Sequence, residues 1–270
     1  MIDCIKLILI QIIIITFSDK IPIFSRFLKA MSLNNPDNKL SEQCSGCDNK
    51  KNSFFCGLSS EELNDLSVNK SFRVYKKGQI IFNEGKRPQG LYCIYEGQVK
   101  LYMLGEGGKE QIIRLAGKGD IVGYRSLISH EKYSCTAASL KDTCICQISI
   151  NSFDKVIKRS PALNYKLLKL LSKDIKASEN KIIKISQKTV QERIAEVLFI
   201  MHQTFGTLED GKTLKANLTR KEIGDMAGVT TESTVRKLSD FNRDGIIVIN
   251  SRKIIVPDPT RLLQIAQLYD

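Results

Sequence analysis

Residues 219–243 read TRKEIGDMAGVTTESTVRKLSDFNR and have the pattern of two short helices joined by a turn. Thr219 is a favoured N-cap for a first helix, and Gly228 can adopt the left-handed backbone conformation at which helices end. A second helix is expected to begin at Thr230 or Thr231 and to continue to the end of the stretch. Two helices joined by a short glycine-containing turn form a helix-turn-helix.

The flanking sequence extends this unit on both sides. A helix over residues 189–203 is predicted before it, because apolar residues recur there at the spacing of one buried face. After it, Gly245 leads into IIVI at 246–249, and an Asn-Ser turn at 250–251 brings the chain back into KIIV at 253–256. A hairpin in this place is a wing, so the sequence predicts a winged helix-turn-helix.

The second helix of the motif has two different faces. At about 100° per residue, Thr234, Leu238 and Phe241 fall on one side, which we expect to be buried. The opposite side is polar and carries Glu232, Arg236, Ser239 and Arg243, with Val235 at its margin. Arginine can pair with guanine and glutamate can accept from cytosine, so this face suits the major groove of double-stranded DNA. The alternative is a solvated face with an ion pair between Glu232 and Arg236.

Composition and charge agree with a globular protein that has a polyanionic partner. Hydrophobic residues make up 42% and charged residues 26% of the 270, which excludes a disordered or a membrane-embedded chain. The 41 Lys and Arg against 29 Asp and Glu give a formal charge of +12. Phosphate neutralisation releases counterions, which favours nucleic-acid binding. A protein with a merely basic surface would show the same excess.

The first 43 residues are interpreted as an N-terminal extension. Residues 5–17, IKLILIQIIIITF, form an apolar run, but a helix that spans a bilayer takes roughly 20 residues. No small-residue cleavage site follows it, as a signal peptide would require. We expect translation to start at Met31 and the protein to make no membrane contact; a membrane anchor is the alternative. The eight cysteines show no disulfide framework, which favours the reducing cytoplasm.

Two further segments complete the chain. From Leu63 to about Ile150, short β-rich runs alternate with glycines, which predicts an antiparallel barrel or roll and an α+β class overall. From Pro161, apolar residues recur at threes and fours up to Ile185, which predicts one long helix. An apolar stripe outside a compact β domain favours self-association into a homodimer. The alternative is a helix that packs back on its own roll.

Several motifs together resemble the Crp/Fnr family of transcription regulators. They are YKKGQIIFNEG at 75–85, GLYCI at 90–94, GDIVG at 119–123, LTRKEIG at 218–224 and GVTTESTVRKL at 228–238. The resemblance implies a cyclic-nucleotide-binding-like sensor roll over residues 44–158, a dimerisation helix over 159–187 and a DNA-binding domain over 188–270. It also implies a DNA-binding, non-enzymatic protein with RNA polymerase as a partner.

The resemblance assigns roles to individual residues of the helix-turn-helix. Glu232 and Arg236 match the base-reading residues, and Thr231 and Val235 occupy the variable reading positions. The predicted contact set is completed by residues at the ends and edges of the two helices, namely Thr219, Arg220, Ser239 and Arg243.

The same resemblance separates two kinds of signal. Relatives that bind cyclic AMP carry a Glu after the glycine that here is Gly123, and an Arg-Ser about ten residues later. This chain has Tyr124 and then Lys132-Tyr133-Ser134, so we do not expect cyclic AMP to bind.

The cysteines suggest a different signal. Cys44 and Cys47 form a C-x-x-C motif, and thiolates at such spacing can chelate one metal. By resemblance to the Fnr branch, Cys44, Cys47 and Cys146 match ligands of a 4Fe–4S cluster. Cys56 stands about three positions later than that pattern, and it is expected to be the fourth ligand if the loop absorbs the shift. A reversible dithiol, or no sensory role, are the alternatives.

A cyclic-nucleotide-binding signalling module that acts through protein contacts is the main alternative to a regulator. An enzyme is disfavoured, because His130 and His202 are the two histidines and neither sits in a nucleophile–base pattern.

Overall fold

The computed structural model describes Cys44, Cys47 and residues 53–216 and 218–267, with no side-chain description for residues 181–186. The chain divides into two compact units, Met1–Cys47 and Asp48–Asp270, and the fold below is that of the second. The expectations for the N-terminal extension, including the start at Met31, lie outside the described residues. Within the described part of the chain, no helix is long and apolar enough to cross a membrane.

Two antiparallel four-stranded sheets form a roll, as the glycine-punctuated runs predicted. The strand orders are β1-β8-β3-β6 and β2-β7-β4-β5. The bounds are β1 Ser71–Tyr75, β2 Ile80–Phe82, β3 Leu91–Glu96, β4 Val99–Leu104, β5 Glu110–Ala116, β6 Ile121–Val122, β7 Thr136–Ser139 and β8 Thr143–Ile148. Side chains of both sheets share one core, in which Ile94 and Ile145 of the first sheet join Leu101 and Ala137 of the second. The roll therefore has a filled interior.

The described helices precede, interrupt and follow the roll. Their bounds are α1 Ser60–Ser67, α2 Tyr124–Ser129, α3 Ile150–Arg159, α4 Pro161–Gln187, α5 Val190–Phe205, α6 Arg220–Ala227, α7 Thr231–Arg243 and α8 Pro259–Ile265. The predicted long helix is confirmed as α4, and it begins at Pro161, where the missing N–H of proline costs nothing. The expected β-rich segment is wrong at its first residue, because Leu63 is buried within α1.

The wing is present, but its first strand begins later than predicted. β9 covers Val248–Asn250 and β10 covers Lys253–Ile255, with Ser251 in a left-handed turn between them. Ile246 and Ile247 are buried under α7 instead of forming the strand, because both amides donate to the carbonyl of Phe241 at the end of that helix. A continuous apolar run does not show by itself where a core segment ends and a strand begins.

The roll and the C-terminal domain share a seam, defined here by the side chains of Gln98, of β4 and of β5 and by the residues of the C-terminal domain that they contact. Ile112 and Leu115 of the roll belong to the same apolar cluster as Ile194 of α5 and Leu238 of α7. Polar contacts also cross the seam: the Gln98 amide donates to Lys215 O at 3.0 Å, the Gln111 amide donates to Asp225 O at 2.5 Å, and Lys100 Nζ lies 3.4 Å from Glu222 Oε1.

Candidate DNA-binding surface

Helix α7 is fixed by its buried face. Thr230 caps it, since its hydroxyl accepts from the N–H of Ser233 at 3.2 Å. Thr234, Leu238 and Phe241 are at most 1% exposed, as the 100° periodicity predicted. The Thr234 hydroxyl is satisfied within the helix, because it donates to Thr230 O at 2.9 Å. The orientation of the opposite face follows from this packing.

The opposite face of α7 is open to solvent. All six predicted contact residues of this helix are exposed: Thr231, Glu232, Val235, Arg236, Ser239 and Arg243. The structure thus brings them together on one surface about three turns long.

Ion pairs on α7 lie at the edge of this surface. Lys237 Nζ lies 2.9 Å from Asp240 Oδ2, and Arg243 pairs with Asp240 at 3.4 Å and with Asp244 at 3.1 Å. The hydrogen bond from Lys237 is the main cause that lowers the pKa of Asp240, so this carboxylate stays ionised and holds both cations. The Glu232–Arg236 pair of the alternative interpretation is not among the ion pairs of the described residues. Both side chains are therefore available to another molecule.

Helix α6 supports α7 from behind. A reciprocal capping box starts it, in which Glu222 N–H donates to Thr219 Oγ1 at 3.2 Å and Thr219 N–H donates to Glu222 Oε2 at 2.8 Å. Gly228 ends it with φ of 67°, and the Arg193 guanidinium of α5 donates to Ala227 O and Gly228 O at 3.2 Å each. The turn of the motif is therefore fixed at both its start and its end.

The predicted contacts Thr219 and Arg220 lie at the N-terminus of α6. Thr219 is exposed, although its hydroxyl is used in the cap. Arg220 is half-buried, and this burial lowers the pKa of its guanidinium. A helix N-terminus with an arginine beside it suits a phosphate group.

The wing adds two cations that the sequence interpretation missed. Arg252 and Lys253 are exposed at its turn. Two basic residues at the tip of a hairpin next to a helix-turn-helix were the signal that could have identified them.

The cysteines that the sequence singled out lie in three places. The amide of Cys47 donates to Cys44 O at 3.4 Å, which closes the C-x-x-C motif into one turn. Cys56 is half-buried in the segment before α1. Cys146 is buried on β8, and the strand register puts it opposite Cys93 of β3, a neighbour that the sequence reasoning did not identify.

The segment that carries Cys56 contacts both the roll and the long helix. Phe54 N–H donates to Gly119 O at 3.1 Å, before β6. Lys166 of α4 donates to the carbonyl of Cys56 and, at 3.4 Å, to that of Phe54. Lys166 therefore joins the Cys56 segment to α4.

These thiols fit an iron–sulfur group in their donor chemistry, because cysteine sulfur is its usual ligand and the Cys44–Cys47 turn is compact. No three His, Cys, Asp or Glu side chains are grouped closely enough for a metal ion among the residues that the structure describes.

A cavity of about 630 Å³ lies between the roll and α4. Tyr124 stands in its wall and is 2% exposed, and Lys132 is a solvent-exposed residue outside the lining. That cyclic AMP does not bind stays a prediction, which rests on Tyr124 and on the absence of an arginine at residues 132–134.

Comparison with known proteins gives two domain families in the expected order. Residues 72–160 match the cyclic nucleotide-binding domain, and residues 192–265 match the Crp-like helix-turn-helix domain. Both matches lie within the unit whose fold is described above.

Known regulators resemble the chain over most of their length. The regulatory protein HlyX of Actinobacillus pleuropneumoniae is 28% identical over 201 residues, 74% of this chain and 83% of that protein. The fumarate and nitrate reduction regulatory protein of Escherichia coli K12 is 28% identical over 211 residues, 77% of this chain and 84% of that protein. The structure of FixK2 from Bradyrhizobium japonicum superposes with a TM-score of 0.66 at 25% identity, over 73% of this chain and 96% of that one.

These relatives are transcription regulators and not enzymes, which agrees with the exposed helix α7 and its wing. The chain belongs to the Crp/Fnr family of transcription regulators.

Proposed function

We propose that this regulator binds an inverted-repeat operator as a homodimer and reads each half-site with α7. The observation that carries the proposal is the exposed polar face of a helix whose other face is fully packed. Glu232 and Arg236 meet base edges, and Thr231 and Val235 meet the adjacent positions. The remaining predicted contacts hold the sugar–phosphate backbone: Thr219, Arg220, Ser239 and Arg243.

In this proposal, three consecutive segments of the chain carry the sensing, dimerisation and DNA-binding functions. Residues 44–158 form the sensor, residues 159–187 the dimerisation helix and residues 188–270 the DNA-binding domain. The dimer acts in the cytoplasm on RNA polymerase at the promoter, which in vitro transcription from an operator-bearing template tests directly.

The reading face is tested by comparing Arg236→Ala with Arg87→Ala, which removes an equal charge from an exposed position on the roll. Operators are first selected from random duplexes with the native protein. We expect Arg236→Ala to lose roughly 10- to 100-fold in operator affinity and its preference over a scrambled duplex, since a bidentate arginine–guanine pair contributes about 1–3 kcal/mol. Arg87→Ala keeps that preference. An Arg236→Ala protein with unchanged affinity and base preference contradicts the assignment.

The proposed dimer rests on α4. Its Leu163 and Leu167 are buried, at 0% and 3% exposure, while Tyr165, Leu168 and Ile175 are 60%, 62% and 59% exposed. One face of the helix is thus covered by its own chain, and an apolar stripe is left for a second copy. A two-fold axis along α4 would place two α7 helices about one DNA turn apart, roughly 34 Å.

We further propose that Cys44, Cys47, Cys56 and Cys146 hold a 4Fe–4S cluster. The support is their thiol chemistry and the Fnr-type relatives of this chain. When bound, such a cluster would supply a centre that oxygen or nitric oxide destroys. The protein's own part is transmission, because the Cys56 segment is bonded to Lys166 of α4.

Anaerobic purification with an absorbance spectrum and with iron and sulfide assays tests this proposal. Cys146→Ser is expected to lose iron, sulfide and visible absorbance. Cys135→Ser, also in a buried position but outside the ligand set, is expected to keep them. A colourless, iron-free native protein that binds its operator in air contradicts cluster control and leaves the DNA-binding proposal intact.

A further inference from the structure

A polar network joins the middle of α4 to the roll. The hydroxyl of Tyr124 donates to Asp174 Oδ2, and the same oxygen lies 3.1 Å from Arg125 Nε and 2.7 Å from Arg125 Nη2. Arg114 Nη1 donates to the Tyr124 hydroxyl at 3.0 Å, and its guanidinium lies 5.7 Å from the centre of that ring. Tyr124 and Arg125 belong to α2, Arg114 to β5 and Asp174 to α4, so α2 contacts the carboxylate of α4 directly and β5 is joined to it through Tyr124.

This network lines the cavity between roll and helix, and its charges are unbalanced without Asp174. Among the residues that line the cavity, Arg114, Arg125 and Lys173 are basic, and Asp174 is the acidic one. The Asp174 side chain is only 13% exposed, and Tyr124 is 2% exposed. A donor as buried as the Tyr124 hydroxyl carries a desolvation penalty unless an acceptor faces it, whereas the Arg125 side chain is 47% exposed and also reaches water. Asp174 supplies that acceptor and offsets part of the basic charge around the cavity.

Burial is the main cause that raises the pKa of Tyr124, and the hydrogen bond to Asp174 acts in the same direction. The phenol therefore stays protonated and acts as a donor at neutral pH. Burial opposes the charge of Arg125, but its bond to Asp174 raises the pKa of the guanidinium. Every group that faces the carboxylate is thus a donor.

We propose that Tyr124, Arg125 and Arg114 form a carboxylate-accepting site in the sensor roll, and that its resident ligand is the chain's own Asp174. A tethered carboxylate competes well with dissolved anions, because its effective concentration is high. Asp174 is then a positioning residue: it fixes the rotation of α4 about its axis. This role rests on the proposed dimer.

The rotation matters because of where the apolar stripe lies. With 3.6 residues per turn, Ile175, Leu168 and Tyr165 are displaced from Asp174 by about 100°, 120° and 180° around the helix. A carboxylate held at the roll thus directs these three exposed side chains away from it. Without the Asp174 contact, the rotation of α4 is fixed less tightly, and the three exposed side chains are held outward less firmly.

The experiment replaces the internal ligand by a free one. Asp174→Ala removes the carboxylate, and Glu106→Ala removes an equal charge from an exposed position in the turn between β4 and β5. We expect Asp174→Ala to raise the dimer dissociation constant at least tenfold in sedimentation experiments, and Glu106→Ala to change it less than twofold. Sodium formate at 50 mM should restore most of the loss in Asp174→Ala and change neither the native chain nor Glu106→Ala. Sodium chloride at equal ionic strength controls for screening.

Thermal shift with formate gives a second readout that does not depend on dimers or DNA. Formate should raise the Tm of Asp174→Ala and leave that of the native chain unchanged. If the native chain does not dimerise but this shift is seen, the dimer proposal fails and the carboxylate site stands. If Asp174→Ala dimerises like the native chain, or if formate restores nothing, the positioning role is overturned. If Asp174→Ala does not fold, Tyr124→Phe removes one donor alone and should weaken the dimer about threefold; an unchanged Tyr124→Phe also overturns it.

Discussion

Among single residues, Gly224 stands where the two helices of the helix-turn-helix approach each other closely. A Cβ atom there would lie 2.8 Å from Thr234 Oγ1 and 3.1 Å from Val229 O. Thr234 cannot move away easily, because it is 0% exposed and bonded to Thr230 O. The glycine therefore serves close packing and not a turn.

We expect Gly224→Ala to destabilise the protein although alanine normally favours a helix by about 1 kcal/mol over glycine. The added methyl group must push α6 from α7, and overpacking costs typically about 1–3 kcal/mol. Urea unfolding measures the change. Gly105→Ala is the control, since its Cβ would meet only Lys109 O at 3.6 Å. A Gly224→Ala protein that is more stable than the native one would contradict the close approach.

Two roll cysteines outside the proposed ligand set should react slowly. Burial raises the pKa of Cys135 to about 11, and burial with the nearby Glu96 raises that of Cys144 to about 11. Only the thiolate is alkylated, and an ordinary thiol titrates near pH 8.5. At pH 8, iodoacetamide should modify both at least about 100-fold more slowly in the folded chain than in urea.

The alkylation rate of Cys135 and Cys144 should increase with pH. Because the folded chain keeps both protons until about pH 11, alkylation should rise about tenfold for each pH unit between pH 8 and 10. Peptide mass spectrometry measures each site separately. A rate that levels off near pH 9 would show that these thiols are not in an apolar setting.

At the scale of elements, α4 has one face that its own chain covers and one that it does not. Leu168→Glu puts a charge in the middle of the uncovered stripe, at a residue that is 62% exposed. Burying an unpaired carboxylate in a dimer is costly, so we expect a monomer with nearly unchanged Tm at low concentration. Light scattering measures the mass. Leu208→Glu, at a 38% exposed leucine away from α4, should leave the mass of the native protein unchanged.

Helices with a strong apolar periodicity were predicted from the sequence. Two short helices with clear capping residues were not predicted, although their caps were visible in the sequence. The faces of α7 and the start of α4 followed from periodicity and from Pro161. Helices α1 and α8 were missed, although Ser59 with Glu62 forms a capping box and Pro259 follows the cap Asp258. These helices are short, so their caps are a larger part of the signal than their periodicity.

The contacts between distant elements could not be predicted. Tyr124 and Asp174 are 50 positions apart, and no local pattern relates them. The same holds for Gln111 and Asp225 across the seam. The exposed face of α7 can be predicted from the periodicity of one helix, whereas these contacts can be predicted only when the packing of several elements is known.

At the scale of the whole molecule, the seam makes the sensor and the DNA-binding domain share one apolar cluster. We expect Ile112→Ala, at a 0% exposed seam residue, to speed amide hydrogen exchange in both domains, because a large-to-small change in a core costs about 2–5 kcal/mol. Ile94→Ala, equally buried but within the roll core, should act mainly on the roll. Exchange that changes in the roll alone for both variants would show that the seam does not couple the domains.

The polar contacts of the seam affect which DNA duplexes we expect the protein to bind tightly. Lys100 of β4 forms an ion pair with Glu222, and Glu222 also caps α6, the helix that supports α7. The sensor roll therefore contacts the helix-turn-helix directly. A movement of the DNA-binding domain away from the roll, toward bent DNA, would break these contacts and expose Ile112 and Leu115 to water. On the proposed inverted-repeat operator, we therefore expect tighter binding to duplexes with flexible pyrimidine–purine steps between the half-sites, because such steps bend at a low energetic cost.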